Sequence, residues 1–330
     1  MKTLLSAAAL SIAFTGGAMA ETLTVYTYDS FVTEWGPGPQ IEKNFEAQCG
    51  CDVDFVAAGD GAELIGRVKL EGAGTEADVV LGIDSNLMAD AAASGLFAPH
   101  GVATDGMDVP GGWGDATFLP YDWGYFAFVY DKTRLASAPA SFEELLNAPE
   151  DVTIVIQDPR SSTPGLGLLL WVKQVYGDEA PAVWEKLAPR IITVTAGWWE
   201  AYSMFLEGEA MMALSYTTSP AYHAIAEGDD TKAAAAFEEG HYMQVELAGK
   251  LAATDSPELA DQFMAFIAED GFQSIIPTTN WMYPAKTPAG GLPEGFEGLV
   301  QPTKSLIYAP DEAKAAREEA LAEWLEALSQ

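Results

Sequence analysis

Aromatic side chains stand beside polar turn residues at several points where a predicted strand ends. Three such clusters occur, at Tyr26–Phe31 with Trp35, Gly197–Glu200 and Ser215–Tyr222, and Trp281 within Thr279–Pro284 adds a further exposed candidate. α/β proteins bind ligands at the ends of their strands, although packing in the core is the alternative for any single ring. Aromatic faces together with a carboxylate such as Asp60 suit an organic cation. These residues therefore predict a site for an aromatic, positively charged ligand.

A polar segment, Gln157–Gly165, lies between a predicted strand and a helix that Pro164 opens. Ser162 or Thr163 is expected to cap this helix. Free N–H groups at a helix N-terminus donate hydrogen bonds to an anion or a hydroxyl, and the hydroxyls of Ser162 and Thr163 add further donors. The segment thus predicts a second, anion-binding part of the site, with a plain helix cap as the alternative.

Motifs of known catalytic sites do not occur in the sequence. There is no G-x-S-x-G, no P-loop, no G-x-G-x-x-G and no H-E-x-x-H. The three histidines, His100, His223 and His241, are scattered, and nothing around them indicates a Ser-His-Asp arrangement. We therefore predict a binding protein and not an enzyme.

Cys49 and Cys51, the two cysteines, are separated by Gly50. Two residues of extended chain span at most about 7 Å, which is near the upper Cα separation for a disulfide. A bent Cys-Gly-Cys can therefore close, and a disulfide is the favoured prediction. Free thiols are the second alternative, and a metal site is the third because two thiolates supply only half of the ligands that zinc needs.

The charge of the chain and its first residues indicate an acidic exported protein. Lys and Arg number 16 against 49 Asp and Glu, a formal charge of −33, so nucleic acid is not an expected partner. Lys2, the apolar run Leu4–Phe14 and Ala18-Met19-Ala20 form a secretory signal pattern, with cleavage expected after Ala20. A buried N-terminal helix is the alternative for residues 1–20.

Strand-like and helix-like segments alternate from Glu21 onward, which is typical of an α/β fold. A turn-rich break at Pro110-Gly111-Gly112 precedes a long extended segment, Thr117–Tyr130, after which the α/β pattern starts again. The extended segment Met243–Leu251 can return the chain to the first unit. We expect a signal peptide at 1–20, a discontinuous first lobe at 21–122 and 248–330, and a second lobe at 123–247.

Several of these segments together resemble the periplasmic thiamine-binding proteins of bacterial ABC importers. The resemblance lies in Leu23–Phe31, Trp35–Pro39, Ala77–Gly82, Gly124–Asp131, Gln157–Leu170, Leu214–Tyr222, Gly240–Tyr242 and Asn280–Pro284, and it spans essentially the whole mature chain. It implies a type II periplasmic binding protein fold, in which two α/β lobes joined by a two-segment hinge close on thiamine or its phosphates. It also implies a periplasmic monomer that delivers its ligand to an inner-membrane ABC permease, without a cofactor or metal.

The resemblance also assigns roles to residues of this chain. Asp60 and Gly61 are implied to lie beside the ligand, and Ser162 and Thr163 to contact its hydroxyl or phosphate. The implied remaining ligand contacts are Trp198, the loop Tyr216, Thr217, Thr218 and Ser219, and the aromatic residues Tyr28, Tyr222 and Trp281. Two positions depart from the family pattern, since Gly59 precedes Asp60 and Trp199 follows Trp198, which leaves open which indole faces the ligand. The Cys-x-Cys at Cys49 and Cys51 also resembles the family.

Our hypothesis for the site follows from the parts of thiamine. The rings of Tyr28, Trp198, Tyr222 and Trp281 would enclose the pyrimidine and the thiazolium, Asp60 would balance the positive charge, and Ser162, Thr163 and the Tyr216 loop would bind the hydroxyl or phosphate. The alternatives are an iron- or polyamine-binding protein of the same fold and a secreted glycan-active enzyme. Iron binding is disfavoured because Thr217, and not a second tyrosine, follows Tyr216.

Overall fold

A computed structural model of the chain describes residues 20–328. The predicted signal segment therefore lies outside the described residues, apart from Ala20. The strands are β1 (Thr22–Thr27), β2 (Asp52–Ala57), β3 (Val79–Asp84), β4 (Phe97–Ala98), β5 (Phe118–Asp131), β6 (Ile154–Gln157), β7 (Ile191–Thr195), β8 (Met212–Tyr216), β9 (Lys232–Ala234), β10 (His241–Leu251), β11 (Tyr283–Pro284) and β12 (Ser305–Leu306).

Helices cover the strands on both faces. They are α1 (Gly38–Cys49), α2 (Gly61–Glu71), α3 (Met88–Ala93), α4 (Phe142–Asn147), α5 (Thr163–Tyr176), α6 (Ala180–Leu187), α7 (Trp198–Leu206), α8 (Pro220–Tyr222), α9 (Pro257–Ile267), α10 (Asp270–Gln273), α11 (Ile276–Thr279) and α12 (Pro310–Leu328). Short 3₁₀ turns and a π-helical turn, His223–Glu227, complete the described chain. No helix within residues 20–328 has the length and apolar character needed to cross a bilayer.

The sheet is mixed and runs in the order β2-β1-β3-β10-β5-β8-β6-β7. Strands β1, β2 and β3 are parallel, as are β6, β7 and β8, and the antiparallel strands β10 and β5 lie between the two sets. We call the part built on β1–β3 the first lobe and the part built on β6–β9 the second lobe. The predicted α/β class, with two α/β units, is thereby confirmed.

Two long strands carry the chain between the lobes. The first part of β5, Phe118–Tyr125, pairs with β10, whereas its second part, Phe126–Tyr130, pairs with β8 in the second lobe. Strand β10 pairs with both β5 and β3 as the chain returns. The predicted lobe boundaries at 122/123 and 247/248 fall inside these two strands and stay a prediction.

Helix α1 shows how local sequence shapes the first lobe. Pro39 lies in its first turn, Ile41 and Phe45 are buried, and Gly50 ends the helix with a φ of +67°, a left-handed conformation that favours glycine. The turn brings the Cα atoms of Cys49 and Cys51 to 5.2 Å, and the two sulfurs form a disulfide. Of the three alternatives for these cysteines, the structure contains the disulfide.

Candidate ligand-binding site

Asp60 lies where the two lobes touch. It precedes α2 in the first lobe, and its Oδ1 accepts a hydrogen bond from the Gly61 backbone N–H at 2.7 Å. Burial raises the pKa of the Asp60 carboxyl, while hydrogen bonding from the Ser162 hydroxyl and from the backbone N–H groups of Gly61, Thr163 and Trp198 opposes that rise. The carboxylate of Asp60 therefore faces the N-termini of two second-lobe helices, α5 and α7.

Ser162 and Thr163 stand at the start of α5, as the sequence predicts. Ser162 occupies the N-cap position, but its side chain makes no capping hydrogen bond, so the expectation of a side-chain cap is wrong. The reason is that Asp60 of the other lobe approaches this terminus: apart from Asp60, the buried Ser162 hydroxyl has no hydrogen-bond partner. A Cβ on Gly61 would lie 2.2 Å from the Thr163 hydroxyl oxygen, so only glycine permits this close contact between lobes.

Further contacts hold the two lobes together around Asp60. The Ala62 backbone N–H donates to the Ser161 carbonyl at 3.2 Å. Beside this contact an open cleft of about 550 Å³ is lined by Glu63 of the first lobe and by Asp158, Arg160 and Ser161 of the second. The structure is thus a closed arrangement, with the candidate residues of the two lobes in contact.

The paired indoles of α7 point in different directions. Trp198 is partly buried, stacks on Tyr202 with ring centroids 5.1 Å apart, and donates from Nε1 to the Ser215 hydroxyl at 2.8 Å. Trp199 is 47 % exposed and packs against Trp35 of the first lobe. The two indoles also contact each other, with ring centroids 5.9 Å apart; Trp198 lies on the Asp60 side, and Trp199 lies at the edge of the lobe contact.

The loop after β8 contributes hydroxyl groups that differ in their surroundings. The Tyr216 hydroxyl donates to Gln244 Oε1 at 2.6 Å, and Ser219 Oγ accepts from the Tyr216 N–H and contacts Ser215 Oγ. The buried Thr218 hydroxyl has only a weak contact to Met282, and the buried Thr217 hydroxyl has no partner within the described residues. Of this predicted set, Thr217 is the residue with a donor left for a ligand.

Of the three remaining predicted aromatic residues, Tyr222 and Trp281 meet across the lobe contact, whereas Tyr28 contacts first-lobe residues and β10. The Tyr28 hydroxyl bonds Glu246 and Asn280, each at 3.1 Å, and its ring packs so closely on Gly82 that a Cβ there would be 2.4 Å away. Tyr222 of the second lobe meets Trp281 of the first edge to face, with ring centroids 5.4 Å apart. Trp281 has a φ of +57°, the one positive φ of a non-glycine residue in the described chain. Such strain persists where the surroundings enforce it, as at ligand sites.

Three buried carboxylates, whose positions the sequence did not predict, form a row across strands β3, β10 and β5. Glu246 of β10 is the register partner of Asp84 on β3 and of Asp122 on β5. All three are buried, and we call Asp84, Asp122 and Glu246 the acidic row. Burial raises the pKa of Asp84 and of Glu246 to about 7 and that of Asp122 well above its ordinary value.

The acidic row lies close to the predicted site. Burial raises the pKa of the Tyr216 hydroxyl far above its usual range, and the nearby carboxylates of Glu246, Asp60, Asp84 and Asp122 raise it further. The row and Asp60 therefore act on the same tyrosine, whose hydroxyl donates to Gln244 on β10. Because acidic residues occur throughout this sequence, their types alone could not have identified the row; its signal is the register of β3, β10 and β5.

One group of described residues, His223, Glu227 and Asp229, has ligand atoms close enough together for a metal ion. Their atoms already have protein partners. His223 Nδ1 contacts Glu227 at 2.6 Å, His223 Nε2 contacts the Tyr202 hydroxyl at 2.9 Å, and Asp229 accepts from Lys232 Nζ at 3.0 Å. Since Tyr222 also donates to Glu227 at 3.0 Å, this group supports the aromatic residues Tyr222 and Tyr202.

Comparisons with known proteins agree with this arrangement. The family model of bacterial extracellular solute-binding proteins matches residues 26–274. A protein of Escherichia coli (strain K12) named thiamine-binding periplasmic protein is 53% identical over 307 residues, which cover 93% of this chain and 93% of that protein.

Solved structures give the same result for the fold. One described as a periplasmic thiamin binding protein superposes with a TM-score of 0.92 at 52% identity, covering 96% of this chain and 98% of that one. Iron-bound HitA from Pseudomonas aeruginosa has a TM-score of 0.75 at 21% identity, covering 93% of this chain and 99% of that one, which shows a shared fold.

Proposed function

The chain belongs to the bacterial extracellular solute-binding protein family, and we propose that it captures thiamine between its two lobes in the periplasm. Relatives at about half identity over nearly their whole length carry the name thiamine-binding periplasmic protein. Like these relatives, it is a binding protein of the transport type and not an enzyme.

The observation that carries the proposal is the position of Asp60 at the lobe contact. No ion pair to a lysine, arginine or histidine involves Asp60 within residues 20–328. Aromatic side chains of both lobes, among them Trp198, Tyr222 and Trp281, lie along the same contact. A buried carboxylate without a protein cation, beside aromatic rings, favours a ligand that is itself an aromatic cation.

Each part of thiamine then has a group of residues suited to it. The rings of Tyr28, Trp198, Tyr222 and Trp281 would contact the two heterocycles, each contact contributing on the order of 0.5–2 kcal/mol. Asp60 balances the fixed charge of the thiazolium. The hydroxyl, or a phosphate in thiamine mono- or diphosphate, is placed at the N-terminus of α5 beside Ser162 and Thr163, with Thr217 as a further donor.

Binding couples to closure because these groups come from both lobes. Asp60, Tyr28 and Trp281 belong to the first lobe, whereas the α5 terminus and Trp198 belong to the second. A ligand that contacts both sets favours the closed arrangement over an open one. We propose that the closed monomer, without a cofactor or metal, delivers thiamine to an ABC permease of the inner membrane.

Tryptophan fluorescence of the mature chain tests the proposal. We expect a saturable change with thiamine at micromolar concentration or below, and none with spermidine, ferric citrate or oligosaccharides at the same concentrations. Trp198→Ala should weaken thiamine binding by about tenfold, which corresponds to about 1.4 kcal/mol. Silence with thiamine in the unmodified chain, or a response to ferric citrate alone, would overturn the proposal.

A further inference from the structure

Three buried carboxylates side by side need a physical reason. In the acidic row, Glu246 lies directly between Asp84 and Asp122 on three adjacent strands. Asp84 and Asp122 are fully buried, and Glu246 is 7 % exposed. Like charges directly opposite on neighbouring strands are destabilising, and so is a buried ionised carboxylate without a partner. Stability alone would not favour this arrangement.

Beyond a hydrogen bond between the Asp122 and Glu246 carboxyls themselves, the protein supplies few partners for the row. Asn280 donates from Nδ2 to Asp122 at 2.6 Å and to Glu246 at 3.2 Å, and Tyr28 donates to Glu246. Asp84 accepts from the Asn86 backbone N–H. Within residues 20–328, no lysine, arginine or histidine forms an ion pair with any member of the row.

Several buried polar atoms at the row have no hydrogen-bond partner. They include Asp84 Oδ2 and Asp122 Oδ1, which are acceptors, together with Gln244 Nε2 and the Tyr121 hydroxyl. Leaving such an atom unpaired in the interior costs free energy, because its bonds to water are lost and not replaced. Unpaired carboxylate oxygens indicate that a molecule bound here brings hydrogen-bond donors.

This inference rests on the proposed function, since the donors are sought in thiamine. The thiazolium carries a fixed charge but no N–H group. The pyrimidine carries an amino group beside a ring nitrogen, an edge that pairs with a carboxyl group through two parallel hydrogen bonds. Because the hydroxyl of thiamine is placed at the N-terminus of α5, the pyrimidine is the part left to satisfy the unpaired oxygens.

We propose that the acidic row is the subsite that recognises the aminopyrimidine ring, with Glu246 pairing with its amino edge. The amino N–H donates to one carboxyl oxygen, and one proton is shared between the other oxygen and the ring nitrogen. Asp84 and Asp122 flank this pair with their unpaired oxygens, Asp84 Oδ2 and Asp122 Oδ1. The Tyr216 hydroxyl donates to Gln244, two residues from Glu246 on β10, and the carboxylates of the row and of Asp60 all raise its pKa.

The surroundings of Glu246 support a shared proton. Burial is the main cause that raises the pKa of Glu246 to about 7, so a proton is available at the row near neutral pH. The titratable groups that face it are Asp84, Asp122, Asp60, Tyr28, Tyr121 and Tyr216, and all of them have raised pKa values, in each case mainly because of burial.

Calorimetric titration with thiamine and oxythiamine tests the assignment. Oxythiamine carries an oxo group in place of the amino group, so it presents an acceptor where the row requires a donor. We expect the unmodified chain to bind thiamine at least about 30-fold more tightly than oxythiamine. Glu246→Met should reduce this ratio to within about threefold, and Glu246→Gln, whose amide can both accept and donate, should restore most of it.

The outcomes separate this inference from the proposed function. Equal affinity of the unmodified chain for thiamine and oxythiamine, or an unchanged ratio in Glu246→Met, would overturn the subsite while leaving thiamine binding intact. A loss of both affinities in equal proportion in Glu246→Met would overturn it as well, because the row would then only support the fold. Failure of the unmodified chain to bind thiamine at all would overturn the proposed function itself.

Discussion

Trp35 and Trp199 face each other from different lobes, with ring centroids 5.1 Å apart, and each indole remains close to half exposed. Neither ring has its partner unless the lobes are closed. The pair therefore stabilises the closed arrangement without being enclosed in it.

Replacing Trp199 with Ala should speed the dissociation of thiamine. An aromatic pair contributes about 0.5–1.5 kcal/mol beyond its buried area, so we expect the dissociation rate to rise roughly two- to tenfold with little change in the association rate. Stopped-flow fluorescence measures both rates. Leu206→Ala on the same helix, where Leu206 is exposed, is the matched control; equal effects of the two variants would contradict the role of the indole pair.

Asp60→Asn should change the preference between thiamine and thiamine monophosphate. The Asp60 carboxylate faces the same helix N-termini at which a phosphate is placed, so the two negative groups compete for the same donors. Removing the charge should weaken thiamine binding by about tenfold and raise the affinity of the monophosphate relative to thiamine by at least about fivefold.

Competition titrations with the two ligands measure this ratio. Glu76→Gln, which removes the same charge from an exposed position before β3, is the control for net charge. A fall of both affinities by the same factor in Asp60→Asn would show that Asp60 does not lie beside the phosphate position.

The sequence predicts those parts of the site that depend on local patterns. Aromatic and hydroxyl residues at strand ends can be located because strand, turn and helix signals are short-range, and the structure brings Asp60, Ser162, Thr163 and Trp198 together. The adjacency of Trp198 and Trp199 in the sequence leaves open which indole faces the ligand. The structure fixes the position of Trp198 through its stacking on Tyr202 and its hydrogen bond to Ser215. Those contacts depend on how the helix packs on the sheet.

The parts that sequence could not predict depend on contacts between distant segments. The side-chain cap expected at Ser162 is absent because Asp60 of the other lobe faces that helix terminus. The acidic row exists only through the register that aligns Glu246 with Asp84 and Asp122. Individual acidic residues carry no such information in a chain with 49 of them.

Removal of the disulfide should reduce stability slightly and leave binding unchanged. Cys49 and Cys51 close a loop of three residues at the C-terminal end of α1. The loop-closure relation gives about 1–2 kcal/mol for so short a loop. Chemical denaturation of Cys49→Ser/Cys51→Ser should show a loss of that size, and its thiamine affinity should stay within about twofold of the parent. A tenfold loss of affinity would show that this turn helps to shape the site.

The ligand-free chain should lose stability as the pH rises from about 4 to about 7. Burial raises the pKa of Asp84 from 3.8 to about 7, so at intermediate pH the folded chain holds a proton that the unfolded chain has released. The stabilisation by this proton is complete below the pKa of Asp84 in the unfolded chain. It is lost as the pH rises through the pKa of Asp84 in the folded chain. Its size is on the order of 2–4 kcal/mol.

Asp84→Asn should reduce this dependence by the share of Asp84, because the amide stays neutral at every pH, whereas Glu246 and Asp122 also have raised pKa values and keep their shares. We expect urea denaturation to give similar unfolding free energies for the variant and the parent near pH 5 and a higher value for the variant at pH 8. Asp52→Asn, an exposed position on β2, controls for the general repulsion of an acidic surface. If both variants change the slope equally, net charge and not the buried carboxyl governs the loss. Saturating thiamine should reduce the parent's loss at pH 8, since a cationic ligand supplies the partner that the ionised row lacks.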